Sequence, residues 1–265
     1  MDIDDIAEEV LAALRGGRQI SLLSTRDPAF DLAAAYQVTA AVRRRREAGG
    51  ERPVGRKIGF TNRTIWAQYG VYAPMWGYVY DRTLAPLDAP FSLTGLCEPR
   101  IEPEIVFGLA SAPAPDMDEA ALLGCVDWVA HGFEIVQSIF PGWRISGADA
   151  VAGAGMHGAL LIGQRHPVRA GAGDWLRALS GFGIDLKRND AVVDHGQASN
   201  VLGGPLSALR HLVGVLADDP VNQPLAAGEI VTTGTLTRAF PIVPGETWTT
   251  ALTGVALEPI SVTLI

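Results

Sequence analysis

Two glutamates separated by one residue are the first candidates for chemistry. Segment 100–107 reads RIEPEIVF, so Glu102 and Glu104 precede an apolar run. Residues two apart in a strand project from the same face, which would place these carboxylates side by side. Like charges repel at that distance, and burial makes ionisation costlier. A hard cation such as Mg²⁺ or Mn²⁺ would remove both problems, although a solvent-facing strand would tolerate the pair without one.

A third carboxylate, Glu134, stands alone in the apolar segment 132–136, which reads GFEIV. An unpaired buried carboxylate costs free energy, so Glu134 needs a cation or strong hydrogen-bond donors nearby, unless its strand position is half exposed. In segment 54–60, VGRKIGF, alternation puts Arg56 and Lys57 on opposite faces, so one cation is expected to face inward. An exposed lysine on an edge strand is the alternative.

Weaker candidates lie in polar or glycine-rich segments. His157 follows the glycines of AGAGMHG at 152–158 and could line a pocket or be satisfied by backbone. Thr235, in TGTLT at 233–237, could offer a hydroxyl to a ligand. The glycines of segment 152–158 do not open a nucleotide-binding helix, so a dinucleotide fold is rejected.

The elements that must position these residues are short strands preceded by helices. Residues 1–52 are predicted as a helical N-terminal extension, with helices over Ile3–Leu14 and from about Asp31 to Arg46. Residues 53–265 are predicted as a β-rich catalytic domain in the same structural unit, giving an α+β chain. Two further helices are expected, from Asp116 or Asp118 to Ala130 and over Leu206–Ala217. Strands are predicted near Val54–Phe60, Glu102–Leu109, Gly132–Ser138, Ala159–Ile162, Gly183–Arg188, Ala191–His195, Glu229–Thr233, Thr247–Leu252 and Ile260–Leu264.

Composition excludes several classes of function. The 265 residues carry a formal net charge of -8, which opposes binding to nucleic acid or to an anionic membrane. Two cysteines are too few for a disulfide framework, and no apolar run approaches the roughly 20 residues of a membrane span. The acidic N-terminus is not that of a signal peptide, so a cytoplasmic protein is predicted. Charged residues make up only 19%, which hints at a homo-oligomer.

Taken together, these motifs resemble the fumarylacetoacetate hydrolase superfamily, and most closely its 2-keto-4-pentenoate hydratase and 4-oxalocrotonate decarboxylase branch. The resemblance runs almost from end to end. It rests on GRKIGFT at 55–61, Gly70-Val71 with Pro74 and Gly77, EPEI at 102–105, EIVQS at 134–138, Trp143, Asp149, GGPL at 203–206 and AGEIVTTG at 227–234.

The resemblance implies a mixed β-roll that binds Mg²⁺ or Mn²⁺ through Glu102, Glu104 and Glu134. It places the family's active-site lysine at Lys57 and an acidic catalytic residue at Asp81. The implied reaction, in the catabolism of aromatic compounds, adds water to a 2-hydroxy-2,4-dienoate and yields a 4-hydroxy-2-oxo acid. The general base is left open between His157 and Asp81.

The chain departs from the family where substrate would lie. A polar stretch is replaced by residues 153–157, GAGMH, and an acidic residue by Met75. Decarboxylation of a 2-oxo-3-enedioate remains an alternative, for which Arg144 or Arg238 would bind the distal carboxylate. Hydrolysis of an acylpyruvate is disfavoured because no histidine precedes His131 to activate water. A non-catalytic protein that keeps the acidic site for structure is the remaining alternative.

Overall fold

The computed structural model describes residues 1–63, 66–69, 72–169 and 172–265. Gly70-Val71, part of the resemblance, lies outside the described residues. The helices are α1 (Ile3–Gly16), α2 (Leu23–Arg26), α3 (Leu32–Ala48), α4 (Trp66–Tyr69), α5 (Glu119–Gly124), α6 (Gly147–Ala152), α7 (Ala172–Gly181) and α8 (Pro205–Ala217). The strands are β1 (Pro53–Gly59), β2 (Met75–Tyr80), β3 (Leu84–Ala85), β4 (Arg100–Leu109), β5 (Val126–Val136), β6 (His157–Ile162), β7 (His166–Pro167), β8 (Gly183–Arg188), β9 (Ala191–Gln197), β10 (Ile230–Thr232), β11 (Phe240–Pro241), β12 (Thr247–Thr253) and β13 (Ser261–Thr263).

The strands form two sheets. The larger has the order β2-β1-β10-β4-β5-β6-β3, with β11 added to β4 and β7 added to β5. Its pairings are mixed, because β1 runs parallel to β10 whereas β4 runs antiparallel to both β10 and β5. The smaller sheet is antiparallel, in the order β13-β12-β8-β9. Mixed α and β structure was predicted, and it is found.

Helices α1 and α3 are not separated from the strands. Asp2 and Asp31 cap them through side-chain acceptors, as expected for short polar residues at a helix start. Their apolar faces share one hydrophobic cluster with α6 and with the loop that follows β5. Helices α1 and α3 therefore pack against α6 and against the loop that follows β5.

One predicted helix is much shorter than expected. Asp118 caps α5 as proposed, but the helix ends at Gly124. Residues 126–130, predicted as helix, belong to β5. Because β5 is buried on both faces, its sequence is a nearly continuous apolar run, which periodicity alone does not separate from a buried helix. Strand β2 and helix α7 were not predicted.

Among the residues that the structure describes, no helix combines the length and the apolar character that crossing a bilayer requires.

Candidate metal centre and its cleft

Strand pairing brings the three predicted glutamates together. Glu102 lies directly opposite Glu134 across the β4–β5 ladder, and Glu104 lies opposite Gly132. One oxygen from each carboxylate lies within 4.8 Å of the others. Glu104 and Glu134 are fully buried and Glu102 is half buried. We call these three side chains the carboxylate cluster.

Lys57 reaches the cluster from β1. Its Nζ is 3.3 Å from Glu134 Oε2, and the side chain is buried. Arg56 is buried too, on the opposite face, where it pairs with Glu229 at 2.7 Å and lies over the Tyr78 ring. One of the two cations was predicted to face inward, and both are buried, because β1 is covered on both sides.

The backbone after β10 holds Glu104. The Gly234 N–H donates to Glu104 Oε2 at 2.8 Å. Position 234 requires glycine, since its φ is +95° and an added Cβ would lie 1.8 Å from Thr61 Oγ1. The second oxygen, Glu104 Oε1, and Glu134 Oε2 are buried without a hydrogen-bond partner among the described residues.

Electrostatics in the cluster favour a cation. Burial raises the pKa of Glu102 to about 7, against the opposing effect of Lys57. Burial and the neighbouring carboxylates raise the pKa of Glu104 well above its usual value. Burial also acts to raise the pKa of Glu134, but Lys57 and His157 outweigh it and hold that pKa low. For Lys57, burial is outweighed by the three carboxylates, which raise its pKa and keep it charged.

These features fit a hard divalent cation. The three carboxylates, when ionised, and the Lys57 ammonium leave a net charge of -2, which one divalent ion neutralises. Glu104 Oε1 is buried without a hydrogen-bond partner among the described residues, and Glu134 Oε2 has only the Lys57 ammonium beside it; oxygen ligands of this kind suit Mg²⁺ and Mn²⁺. The residues present therefore fit the group that the resemblance implied.

His157 contacts Glu134 of the cluster but is not among the residues that line the cleft described below. Its Nδ1 is 2.7 Å from Glu134 Oε1, and its Nε2 is 2.8 Å from Thr83 Oγ1. The ionised Glu134 carboxylate can only accept, so Nδ1 donates to it, while Nε2 contacts the Thr83 hydroxyl, which also lies 2.9 Å from the Tyr80 carbonyl oxygen. Both ring nitrogens thus contact protein groups, and the catalytic role of His157 stays a prediction.

A second buried histidine, His131, contacts the backbone at Glu104. His131 Nδ1 is 3.0 Å from the Glu104 carbonyl oxygen, and its Nε2 is 3.0 Å from Thr250 Oγ1. Burial lowers the pKa of His131 to about 4, so the ring is neutral. Sequence reasoning gave His131 no role, because its neighbours come from β4 and β12.

Asp81 and Arg144, two further predicted site residues, are not brought to the cluster. Asp81 accepts from the Arg52 backbone N–H at 3.0 Å and pairs with the Arg52 side chain. It follows β2 at the end of the β1–β2 ladder away from the Lys57–Gly77 pair. Arg144 is exposed and does not line the cleft. Asp81 is therefore engaged in a surface ion pair, and Trp143, the residue before Arg144, lines the wall, while the roles predicted for Asp81 and Arg144 stay predictions.

A cleft with about 520 Å³ of empty space, partly open to solvent, adjoins the cluster. Thr235 lines it, as predicted, although its hydroxyl donates to the Thr237 carbonyl at 3.0 Å. Thr61 also lines it, and its buried hydroxyl has no hydrogen-bond partner among the described residues. The remaining lining residues are Lys57, Gly59, Phe60, Asn62, Glu102, Val136, Trp143, Gly155, Met156 and Ala239. Sequence reasoning missed Thr61, Phe60 and Thr83 as site residues; only Thr61 and Phe60 lie in a recognised motif.

Comparison with known proteins finds named enzymes that match most of this chain. No protein-family model matches the chain. The 2-hydroxyhexa-2,4-dienoate hydratase of Comamonas testosteroni is 30% identical over 255 residues, covering 95% of this chain and 94% of that protein. Several proteins named 2-keto-4-pentenoate hydratase match at 28% to 32% identity.

Solved structures give the same picture and confirm the predicted fold. The 4-oxalocrotonate decarboxylase from Pseudomonas putida G7, complexed with magnesium and adipate, superposes with a TM-score of 0.90 at 27% identity, covering 99% of this chain and 97% of that one. Fumarylpyruvate hydrolase from Pseudomonas aeruginosa, in complex with Mn²⁺ and pyruvate, is 15% identical, with a TM-score of 0.61 over 81% of this chain and 89% of that one. The latter likeness concerns the fold alone.

Proposed function

Because the chain belongs to the fumarylacetoacetate hydrolase superfamily, in its branch of 2-keto-4-pentenoate hydratases and 4-oxalocrotonate decarboxylases, we propose that it is a hydratase of 2-hydroxy-2,4-dienoates. The product is a 4-hydroxy-2-oxo acid. The observation that carries this proposal is the convergence of Glu102, Glu104, Glu134 and Lys57 beside one cleft.

The carboxylate cluster would hold the divalent ion, Mg²⁺ or Mn²⁺. When bound there, such an ion supplies Lewis-acid stabilisation of negative charge on the oxygen at carbon 2 of the substrate. The protein's own contribution is to fix the ligands. Gly234 fixes Glu104, and His157 with Lys57 fixes Glu134.

Lys57 is the cation of the cleft that meets an anionic substrate. Its ammonium, kept charged by the cluster, would bind the substrate carboxylate or the oxygen at carbon 2. The unpartnered Thr61 hydroxyl and the Thr235 oxygen lie along the same cleft and are available to a polar substrate group or to water. A buried hydroxyl gains most from a ligand that completes its hydrogen bonds.

The reaction balances as a proton transfer followed by an addition. The hydroxyl at carbon 2 gives up its proton while the terminal carbon of the diene gains one, which yields a conjugated ketone. Water oxygen then bonds to the far carbon of that system, and a proton enters next to the ketone. Lys57 Nζ lines the cleft and can hold or deliver a proton; Glu102, the other charged lining residue, would be a ligand of the ion, and His157 and Asp81 face other protein groups.

Decarboxylation of a 2-oxo-3-enedioate is the second candidate, because the scaffold superposes closely on a decarboxylase. The two reactions share the charge developed at carbon 2, so the carboxylate cluster does not discriminate between them. They differ at the distal end of the substrate, where a decarboxylase must accept a second carboxylate.

The test follows the ultraviolet band of 2-hydroxypenta-2,4-dienoate with Mg²⁺ or Mn²⁺ and with EDTA. We expect loss of the band only with metal, and a 4-hydroxy-2-oxo acid as the product by mass. Glu104→Gln should abolish turnover, whereas Glu119→Gln, on the surface at the start of α5, should not. Carbon dioxide release from an enedioate without hydration of any dienoate would replace this proposal by decarboxylation.

We also propose that the protein is a cytoplasmic homo-oligomer that acts in the catabolism of aromatic compounds. Its low charged content and the substrates named for its relatives support these points. Light scattering coupled to size exclusion gives the subunit number directly, and a single-subunit mass would overturn the oligomer.

A further inference from the structure

The lining of the cleft combines charged and apolar groups. Lys57 and Glu102 are its charged members, at the carboxylate cluster. Apart from Thr61, Asn62 and Thr235, the remaining side chains are apolar and come from residue 60, residues 136–156 and residue 239. The apolar side chains are those of Phe60, Val136, Trp143, Met156 and Ala239. An apolar wall of this kind stabilises a hydrocarbon group and penalises a charged one.

Three arginines that neighbour wall residues do not line the cleft. Arg238 pairs with Asp194 at 3.1 Å, and Arg144 is exposed outside the cleft. Arg100 lies over the Trp143 ring at 4.4 Å and does not line the cleft. Among the described lining residues, Lys57 is the only cation, which matches a substrate with one carboxylate.

Met156 lies in a turn whose backbone has an unusual conformation. Ala154, Gly155 and Met156 have φ values of 61°, 64° and 63°, in the left-handed region that ordinary side chains rarely adopt. The turn fits because Gly77 has no side chain: a Cβ there would lie 2.9 Å from the Ala154 carbonyl oxygen. Backbone strain of this kind persists where the surroundings fix it, and it concentrates at ligand sites.

The Met156 side chain joins the cleft to the helical segment. It is buried in the cluster formed by α1, α3 and α6, and it also faces the cleft. A flexible thioether adapts its shape to an apolar ligand while remaining packed. Met156 is therefore a fixed backbone position with an adaptable apolar side chain beside the substrate path.

We propose that Met156, together with Phe60 and Trp143, forms a subsite for an uncharged alkyl group on the terminal carbon of the dienoate. This subsite selects alkyl-substituted 2-hydroxy-2,4-dienoates over dienedioates, and Met156 is a specificity-determining residue. The inference rests on the proposed hydratase function and names its substrate class.

The experiment compares kcat/KM of the metal-loaded enzyme for three substrates: 2-hydroxypenta-2,4-dienoate, 2-hydroxyhexa-2,4-dienoate and 2-hydroxyhexa-2,4-dienedioate. One buried methyl group should raise kcat/KM about fourfold, from the transfer free energy of one carbon. A second carboxylate left without a partner should lower it by about a hundredfold or more. Equal values for the first two substrates, or preference for the dienedioate, would overturn the subsite.

Variants separate the subsite from the chemistry. Met156→Asn introduces a polar side chain at this position, and asparagine tolerates the left-handed backbone region. This variant should lose the preference for the methyl group. Met156→Leu should keep that preference. Ala239→Arg, on the half-buried rim, should shift preference toward the dienedioate by at least tenfold. Unchanged substrate ratios in both Met156→Asn and Ala239→Arg would refute the inference.

Failure of the subsite and failure of the function give different results. If the unsubstituted dienoate is hydrated but the alkyl group has no effect, only the subsite is wrong. If no dienoate is hydrated although Mn²⁺ binds at one site per chain, the hydratase function is wrong and the subsite falls with it.

Discussion

Replacing Glu102 by glutamine should change stability in opposite directions with and without metal. Without metal, the Glu102 carboxyl has a pKa of about 7 in the folded protein against 4.5 in an unfolded chain. A group whose folded pKa is the higher one stabilises fully below pH 4.5, and this contribution is lost as the pH rises through 7. At pH 8 the wild type therefore carries an unfavourable buried charge that Glu102→Gln removes.

The magnitude follows from the displacement of the pKa. At about 1.4 kcal/mol per pH unit, the rise corresponds to roughly 3 kcal/mol at most, and water reaching the half-buried side chain reduces it. For a chain of this size, that predicts a melting temperature higher by roughly 5 to 10 °C in EDTA at pH 8. At pH 4.5 the difference should vanish.

Saturating Mn²⁺ should reverse the order. An ion at one thousand times its dissociation constant stabilises the wild type by about 4.1 kcal/mol, more than the advantage of Glu102→Gln in EDTA, and Glu102→Gln, lacking one ligand, should lose most of that gain. Thermal and urea unfolding followed by circular dichroism would measure both conditions, with Glu119→Gln as the matched surface control. A Glu102→Gln protein that is less stable than the wild type in EDTA, or equally stabilised by Mn²⁺, would refute the reasoning.

Three further substitutions test the supporting residues. Lys57→Met should keep Mn²⁺ binding but lower kcat for dienoate hydration by about a hundredfold or more, which a Mn²⁺ titration and the ultraviolet assay separate. His157→Gln should weaken Mn²⁺ binding about 10- to 100-fold because Glu134 loses its orienting partner, and an unchanged affinity beside the exposed control His195→Gln would contradict that role. His131 is neutral when buried, with a pKa of about 4 against 6.5 when unfolded, so it favours the fold above pH 6.5 and loses that contribution as the pH falls to 4. The advantage of the wild type over His131→Gln in urea unfolding should therefore shrink by roughly 3 kcal/mol across that window, and a constant difference would exclude this cause.

Much of the metal centre was predictable because its residues occupy strands with strong local signals. Glu102 and Glu104 share a face by the two-residue period of β4, and Glu134 was conspicuous as a lone carboxylate in an apolar run. Their convergence depends on the β4–β5 register, which sequence spacing does not contain. The family resemblance supplied that missing step.

The contacts of His157 and Asp81 could not be predicted, for a common physical reason. His157 was singled out in a glycine-rich segment and Asp81 by the family resemblance, whereas the partner that each side chain meets depends on the fold. Thr83 hydrogen-bonds with Nε2 of His157, and Arg52 hydrogen-bonds with Asp81. Neither partner carries a local signal in the sequence, because each contact joins segments from different parts of the fold. The short α5 failed for a different reason, since a strand buried on both faces lacks the alternation that would distinguish it from a helix.

The most direct measurement is anomalous diffraction from crystals grown with Mn²⁺ and oxalate, a mimic of the 2-oxo acid. The account predicts one manganese peak per chain, bonded to oxygens of Glu102, Glu104 and Glu134 and to the oxalate, with Lys57 beside it. No peak, or a peak away from these carboxylates, would contradict it.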